Sequence, residues 1–146
     1  PMTRVGFYVV QSDDTLASHR VAAVLAEKAL NRGHRIFVLA RDESHAQELY
    51  DVFWSFRHDA FLPVSLWHER ATSAIVIGHS NPTPEHHDCL INLSMTTDNF
   101  ASRFQRIVEI VTQQAHHLEA MRDAWRWYKH RGFTLEKHDV ALPNHV

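Results

Sequence analysis

Cysteine and glycine are both scarce in this chain of 146 residues, and each scarcity excludes a class of protein. The single cysteine, Cys89, has no partner for an intramolecular disulfide, so we expect a reduced, cytoplasmic compartment. The four glycines, at positions 6, 33, 78 and 132, form neither G-x-G-x-x-G nor G-x-x-x-x-G-K-[ST]. In phosphate-binding proteins those spacings bring backbone N–H groups around a phosphate. Since neither spacing is present, the sequence encodes no glycine-rich phosphate loop.

The chain also lacks an excess of positive charge and any long hydrophobic run. Its 15 lysines and arginines are set against 17 acidic residues, which gives a net charge of −2 and a pI near 6.7. Such a chain does not have the cations needed to coat DNA or an anionic membrane, so recognition of an anion requires a local patch. Apolar runs such as Phe7–Val10 and Ala74–Ile77 are far too short to span a bilayer.

Histidine is abundant, with 13 residues, but its spacing does not favour a metal site. The pairs at 86–87 and 116–117 are adjacent in sequence, and adjacent side chains on a helix or strand point in different directions. Metal ligands on one helix stand about three or four residues apart, and neither H-E-x-x-H nor C-x-x-C occurs. We therefore expect no resident metal and no other cofactor.

The first 40 residues predict a strand–helix–strand unit. Val5–Val10 is a near-continuous apolar run, which is typical of a strand buried on both faces of a parallel sheet. An aspartate at 13 or 14 can cap the helix predicted over Leu16–Asn31, and Gly33 is placed to end it. The strand Arg35–Ala40 follows directly, which favours a right-handed parallel crossover.

The remainder of the chain continues the alternation of helices and strands. Ser44 is placed to cap a second helix, which has one apolar face and runs to about Phe56. The stretch over 57–72 is irregular. After it we predict three strands, at Ala74–Ile77, Cys89–Leu93 and Phe104–Val111, and a last helix at Gln114–Arg131. A short polar tail follows this helix. The sequence predicts one Rossmann-like α/β domain over residues 2–146. Its sheet is expected to have about five mainly parallel strands, with helices on both faces and the last helix at its edge.

One alternative function is an enzyme that binds a nucleotide or small ligand at the carboxyl edge of such a sheet. Asp13 and Asp14 follow the first strand and could bind a metal or act as a base, although capping of the helix explains them more simply. Cys89 stands beside His87 and Asp88, but sequence neighbours seldom form a nucleophilic dyad. A buried, inert thiol is the simpler interpretation. We expect no catalytic residue in this chain.

The last helix carries the strongest functional signal, because an apolar stripe and a basic stripe run side by side along it. The apolar stripe consists of Leu118, Met121, Trp125 and Tyr128, and the basic stripe of Arg122, Arg126 and Lys129. Glu119 and Asp123 are expected further round the helix, away from the basic stripe. The edge between the stripes suits a ligand that joins carboxylates to an apolar side chain, such as an acidic protein C-terminus with a final aromatic residue. The alternative is an amphipathic helix with a solvated basic flank.

A second group of apolar residues is spread over the end of the second helix and the irregular stretch after it. It consists of Phe53, Trp54, Phe56, Phe61, Leu62, Leu66 and Trp67. One helix face cannot bury all of them, and surplus aromatic residues on a loop favour a surface that binds a partner. A satellite core under a long loop explains the same residues equally well.

Several short segments of this chain recur together in one known family. They are Phe7-Tyr8, Gly33-His34-Arg35, Trp54, Asp59–Pro63, Ile75–Ile77, Leu90–Leu93, Arg126–Lys129 and Gly132-Phe133. The Phe-Leu-Pro segment and the terminal Tyr-Lys-x-x-Gly-Phe are the most specific of them. With these segments the sequence resembles, nearly end to end, the chi subunit of bacterial DNA polymerase III holoenzyme.

The resemblance implies a non-enzymatic accessory protein of the clamp-loader complex that acts in DNA replication. Chi proteins bind the psi subunit on one side and, on the other, the acidic, Phe-ended C-terminal tail of single-stranded DNA-binding protein. Such a protein meets DNA only indirectly and needs no membrane. Residue by residue, the tail pocket falls on Arg122, Trp125, Arg126, Lys129 and Gly132, with Arg122 as the clamp for the terminal carboxylate. The psi-facing aromatic falls on Phe61, in the segment Phe61-Leu62-Pro63.

Two positions depart from the family pattern. Leu118 stands where a lysine helps at the start of the family's tail pocket, and Val64 stands where histidine is common after the Phe-x-Pro motif. The affinity for the tail and the sequence of the partner therefore stay open. Direct binding of single-stranded DNA by stacking on Trp125 and Trp127 is a third possible function, to which a net negative chain is poorly suited.

Overall fold

A parallel β-sheet of seven strands forms the centre of the protein in the computed structural model, which describes residues 3–56, 62–67, 73–80 and 88–141. Over these ranges the elements are β1 (Arg4–Val10), α1 (Thr15–Asn31), β2 (Ile36–Leu39), α2 (Glu43–Ser55), β3 (Val64–Leu66), β4 (Ile75–Gly78), β5 (Cys89–Asn92), a 3-10 helix (Asn99–Arg103), β6 (Arg106–Val111), α3 (Ala115–His130) and β7 (Thr134–Val140). The strands lie in the order β3-β4-β2-β5-β6-β1-β7, and each neighbouring pair is parallel.

The caps of α1 confirm the sequence prediction. Asp14 Oδ1 accepts a hydrogen bond from the Leu16 N–H at 3.0 Å, which satisfies one of the unpaired donors at the start of the helix. At the other end Gly33 has φ of +84°, the left-handed conformation that glycine adopts without strain.

The cap of α2 corrects the prediction that Ser44 begins this helix. Asp42 is the N-cap, with extended backbone, and its Oδ1 accepts a hydrogen bond from the His45 N–H at 2.8 Å. Ser44 lies within the first turn. Both residue types favour N-caps, so the local sequence did not distinguish them.

Two helices cover one face of the sheet. Alternate strand residues, among them Ile36, Val38 and Ile91, point to this face and pack with buried residues of α1 and α2. In α1 these are small or β-branched side chains such as Ala22 and Ala26, which let the helix approach the strands closely.

The opposite face is packed against α3 and the 3-10 helix. Phe7, Phe37 and Ile107 belong to this second cluster together with Tyr128 of α3. Helices therefore cover both faces, and the expected Rossmann-like α/β fold is confirmed. The prediction of about five strands is corrected to seven: β3 lies in the stretch that we interpreted as irregular, and β7 in the part interpreted as a polar tail.

The last helix packs over the sheet next to its edge. It contacts β6 and the edge strand β7, and Trp125 and Tyr128 reach Phe7 on β1. In the part of the chain that the structure describes, no helix is both long and apolar enough to cross a membrane.

Candidate functional site

A buried tyrosine fixes α3 to the sheet. Tyr128 is fully buried, and its hydroxyl donates a hydrogen bond to Glu109 Oε2 of β6 at 2.5 Å. The Asn92 side-chain amide donates to the same oxygen at 2.8 Å. Burial raises the pKa of Glu109 to about 7, although both hydrogen bonds favour the ionised form and lower it. These contacts hold the orientation of α3, and with it the direction in which its other side chains point.

Trp125 forms the aromatic part of the helix surface. Its ring lies 5.1 Å from that of Phe7, centroid to centroid, at an interplanar angle of 45°. The side chain is only partly buried, as are Leu118 and Met121 on the preceding turns, and all three pack against the second core cluster. The predicted apolar stripe is therefore divided: Tyr128 belongs to the core, and Trp125 lies where the core meets solvent.

Arg122 and Lys129 stand on either side of Trp125 along the helix, three residues before it and four after it. Both are exposed, and within residues 3–56, 62–67, 73–80 and 88–141 neither side chain is paired with a carboxylate. Residues at these spacings project from the same side of a helix. The structure thus brings two unneutralised cations to the border of a half-buried aromatic ring, as the sequence predicts.

Arg126 differs from the other two cations and corrects part of the prediction. Its Nη2 lies 3.2 Å from Asp123 Oδ1, in an exposed pair at spacing i, i+3. Asp123 was expected to lie too far round the helix for this contact. Because both side chains are about 70% exposed, solvent screens the pair and the attraction is weak. Arg126 remains accessible, with part of its charge offset.

Gly132 ends α3 and sets the direction of the chain beyond it. The Gly132 N–H donates to the Lys129 carbonyl at 3.0 Å, and the Phe133 N–H donates to the Tyr128 carbonyl at 3.1 Å. This pair of bonds with φ of +82° at Gly132 is a Schellman cap. A Cβ at this position would meet no atom within 4 Å, so conformation and not space requires glycine here.

The structure shows a contact between a cation and an aromatic ring that we did not predict. The Arg131 guanidinium carbon lies 3.7 Å from the centre of the Trp127 ring, a cation–π geometry. Arg126, Trp127, Lys129 and Arg131 line a common open depression, whose lining does not include Arg122, Trp125 or Gly132. The spacing i, i+4 of Trp127 and Arg131 could have predicted their contact from the sequence.

The second predicted binding region is only partly described. Phe61 lies outside the described residues. Leu62 is 6% exposed and belongs to the core cluster under α2, whereas Pro63 is half-buried. Of the neighbouring aromatic residues, Trp54 is 51% exposed and Trp67 is 38% exposed. Both interpretations of this group therefore apply: Phe53, Leu62 and Leu66 form core, while the two tryptophans remain at the surface.

The residues considered for an enzyme have structural roles. Asp14 caps α1, and the Asp13 carbonyl accepts a hydrogen bond from the Gln114 side chain at 2.6 Å. Cys89 is buried, and burial raises the pKa of its thiol to about 12, so it carries almost no thiolate at neutral pH. In the described ranges, no three histidine, cysteine, aspartate or glutamate side chains are grouped so that they could hold a metal.

Comparison with solved structures identifies the class of fold. The chain is similar to a structure described as the crystal structure of T4 UvsW, with a TM-score of 0.70 and 10% sequence identity. The match covers 97% of this chain and 42% of that chain. At this identity the likeness shows the parallel α/β fold alone.

Comparison of sequences identifies the family. The family model of the DNA polymerase III chi subunit, HolC, matches residues 2–136. DNA polymerase III subunit chi of Pseudomonas aeruginosa is 39% identical over 137 residues, 94% of this chain and 96% of that protein. The subunit chi of Escherichia coli is 23% identical over 141 residues, 92% of this chain and 96% of that protein. The chain therefore belongs to the DNA polymerase III chi subunit family, whose members are accessory subunits in DNA replication.

Proposed function

We propose that this chi-family chain couples the clamp loader to DNA coated by single-stranded DNA-binding protein. In this proposal α3 binds the acidic C-terminal tail of that protein, and the region around Phe61–Pro63 binds the psi subunit. The chain acts as an adaptor in the cytoplasm, without catalysis of its own, and meets DNA only through its partners.

The observation that carries the first half of the proposal is the border between Trp125 and the cations beside it. A C-terminal phenylalanine presents an α-carboxylate and a ring that are joined by a short linkage. Arg122 offers a planar fork of donors to the carboxylate, and Trp125 offers an apolar wall to the ring. Because Arg122 has no carboxylate partner within the described residues, the tail does not have to displace one.

The remaining cations suit the acidic residues that precede the terminal phenylalanine. Lys129 is exposed one turn beyond Trp125, and Arg126 is exposed although it is paired with Asp123. Contacts between solvated charges are weak and are screened by salt. We therefore expect Arg122 to contribute most to the binding free energy, and Lys129 and Arg126 to contribute less and to lose their effect at high salt.

A titration with a peptide tests this assignment. The ligand is an acidic peptide with a terminal phenylalanine, measured against wild type, Arg122→Ala and Arg122→Lys at two salt concentrations. Arg122→Ala should cost roughly 1.5–3 kcal/mol of binding free energy, the range for a hydrogen bond to a charged group. Arg122→Lys should recover only part of it, because a point charge cannot reproduce the fork.

Two controls decide whether the surface is specific. Arg20→Ala removes a cation from α1, on the opposite face of the sheet, and should leave peptide binding unchanged. A peptide that lacks the terminal phenylalanine should bind much more weakly than the complete one. Equal affinity of the two peptides would reduce the site to a solvated basic flank and refute the proposal for α3.

The second half of the proposal rests on two exposed tryptophans that flank the Phe61–Pro63 segment in the sequence. Trp54 on α2 and Trp67 at the end of β3 are both large apolar side chains open to solvent. Aromatic residues of this kind are enriched among those that dominate interface energies. Since Leu62 is buried in the core, Phe61 and Trp54 are better probes of the interface than Leu62.

Binding of a psi subunit by Phe61→Ala and Trp54→Ala tests this region. Phe61→Ala should weaken binding by about 2 kcal/mol or more if it is a hot spot, with thermal stability nearly unchanged. Trp54→Ala, at an exposed position, should weaken the same interaction without loss of stability. If Phe61→Ala unfolds the protein, then Phe61 is a core residue, and the satellite-core interpretation holds at that position.

A further inference from the structure

A cavity of about 310 Å³ lies under α1, on the opposite face of the sheet from the proposed tail site. It is bordered by the C-terminal half of α1 and by the beginnings of β5 and β6. Its volume is at the lower end of the range of small-molecule pockets. The proposed adaptor function does not use this cavity.

The charges around the cavity are mostly positive. Lys28, Arg32 and Arg106 line it, and the one carboxylate in its lining is that of Asp88. Asp88 Oδ2 accepts a hydrogen bond from the Arg35 backbone N–H at 2.8 Å, so this carboxylate is partly occupied within the fold. Over the described ranges none of the three cations is paired with an acidic side chain. Their charge is therefore available to an anion in the cavity.

Arg106 is the cation whose position is best defined. Its Nη2 donates a hydrogen bond to the Tyr8 hydroxyl at 2.7 Å, and the Tyr8 ring is in turn stacked on His138 at 4.7 Å. Lys28 and Arg32 stand at the C-terminal end of α1, where the helix dipole alone would favour cations. That explanation does not apply to Arg106, which is partly buried at the first residue of a strand.

The other walls of the cavity are apolar. Leu25 and Ala29 of α1 face it from one side, and Val108 of β6 faces it from the other. A ligand that fills the space must therefore combine a compact anionic group with an apolar or planar body. A phosphate monoester of a small ring system has this chemistry, and arginine is well suited to its phosphate because the fork of donors matches two oxygens.

We propose that this cavity binds a small phosphate-bearing ligand of the nucleotide class. The phosphate lies between Arg106, Arg32 and Lys28, and the body of the ligand packs against Leu25 and Val108. The site lies at the amino-terminal side of the strands, so it is distinct from the carboxyl edge at which parallel α/β folds commonly bind ligands.

Calorimetric titration of the full chain with inorganic phosphate, pyrophosphate and deoxyadenosine monophosphate tests the proposal. Wild type should bind all three in a saturable manner. Deoxyadenosine monophosphate should bind more tightly than inorganic phosphate, although both are dianions at about pH 8, because only the nucleotide reaches the apolar walls. Absence of saturable binding at millimolar concentration, or equal affinity for these two ligands, would overturn the proposal.

Matched variants distinguish binding in this cavity from non-specific attraction of anions to positive charges on the protein. Arg106→Gln should weaken pyrophosphate binding about tenfold or more, and the double variant Lys28→Gln/Arg32→Gln should have a similar effect. Arg20→Gln removes the same charge from the other end of α1 and should change the affinity less than about twofold. Weakening by Arg20→Gln as large as that by the double variant would overturn the proposal.

A further pair of measurements covers the possibility that Arg106→Gln disturbs the fold. The double variant changes only exposed positions on the rim, so it tests the site without touching the strand. Tyr8→Phe keeps the ring that stacks on His138 and removes only the hydroxyl that holds the Arg106 guanidinium. It should weaken pyrophosphate binding by roughly threefold to tenfold with an unchanged circular dichroism spectrum. An unchanged affinity in Tyr8→Phe and in the double variant would refute the site.

Discussion

Glu109 is the residue through which pH should act most clearly on the stability of this protein. It lies on β6 and is buried under α3, where Tyr128 contacts it, and burial raises its pKa from 4.5 to about 7. Below pH 4.5 the carboxyl is protonated in both the folded and the unfolded chain. As the pH rises from 4.5 to 7, the unfolded chain releases this proton and the folded protein retains it, so the free energy of unfolding falls.

The size of this loss follows from the change in pKa. Each unit of difference in pKa between the folded and the unfolded chain corresponds to about 1.4 kcal/mol. The loss in free energy of unfolding therefore reaches roughly 3 kcal/mol above about pH 7, where the carboxyl is ionised in both states. Glu109→Gln has nearly the shape of the protonated carboxyl and does not titrate. Its amide oxygen can accept the hydrogen bonds that Tyr128 and Asn92 donate. The variant should therefore keep the stability that wild type loses.

Urea denaturation, followed by tryptophan fluorescence at about pH 5, 6, 7 and 8, measures the difference. The free energy of unfolding of Glu109→Gln minus that of wild type should increase by roughly 2–3 kcal/mol over this range. Burial lowers the pKa values of His19 and His45, but these residues are present in both proteins and their effects cancel. Glu119→Gln, exposed on α3, serves as the control and should follow wild type. Parallel pH profiles of Glu109→Gln and wild type would refute the argument that burial raises this pKa.

Three other variants or reactions test the packing of the fold. Tyr128→Phe should lower the free energy of unfolding by about 1.5–3 kcal/mol at pH 8 and by less at pH 5, as measured in urea, because the lost hydrogen bond reaches an ionised carboxylate only at the higher pH. Leu62→Ala should lower it by about 2–5 kcal/mol, the range for a buried leucine; a change below 0.5 kcal/mol would contradict its burial. Cys89 should resist alkylation by iodoacetamide at about pH 8 in the folded protein and react fully in urea, because burial raises the pKa of its thiol. Mass spectrometry measures the extent of the reaction, and rapid reaction of the folded protein would show that the thiol is accessible.

The sequence predicted the elements whose residues bury large apolar surfaces, and it failed where pairing with other strands decides the structure. β1 and α1 were predicted closely, because an apolar run and a capped helix are visible locally. β3 has only three residues, and β7 has the alternating polar pattern of an edge strand, so neither could be separated from loop without knowledge of its neighbours. Both acquire their strand conformation from hydrogen bonds to β4 and β1.

On α3 the sequence predicted the exposed positions of Arg122 and Lys129, but it missed the contacts of two carboxylates, Asp123 and Glu109. The spacing of Arg122 and Lys129 around Trp125 depends only on helix geometry, which α3 follows. The pair of Arg126 with Asp123 depends on side-chain torsion angles, which the helix wheel does not contain. Glu109 was passed over, although a charged residue within the otherwise apolar run 107–111 is itself a signal of a buried polar network.

The position of β1 in the sheet has a consequence for how the protein is made. Among the described strands of this sheet β1 comes earliest in the sequence, yet it pairs with β6 and β7, which come after the others, and Arg4 is aligned with Thr134. Until the ribosome has released β6, the apolar residues of β1 have no strand beside them. Contacts of such long sequence separation form slowly and leave hydrophobic segments exposed in the meantime. A nascent chain arrested before residue 106 should therefore be a substrate for chaperones, whereas in the folded protein β1 has a paired strand on each side.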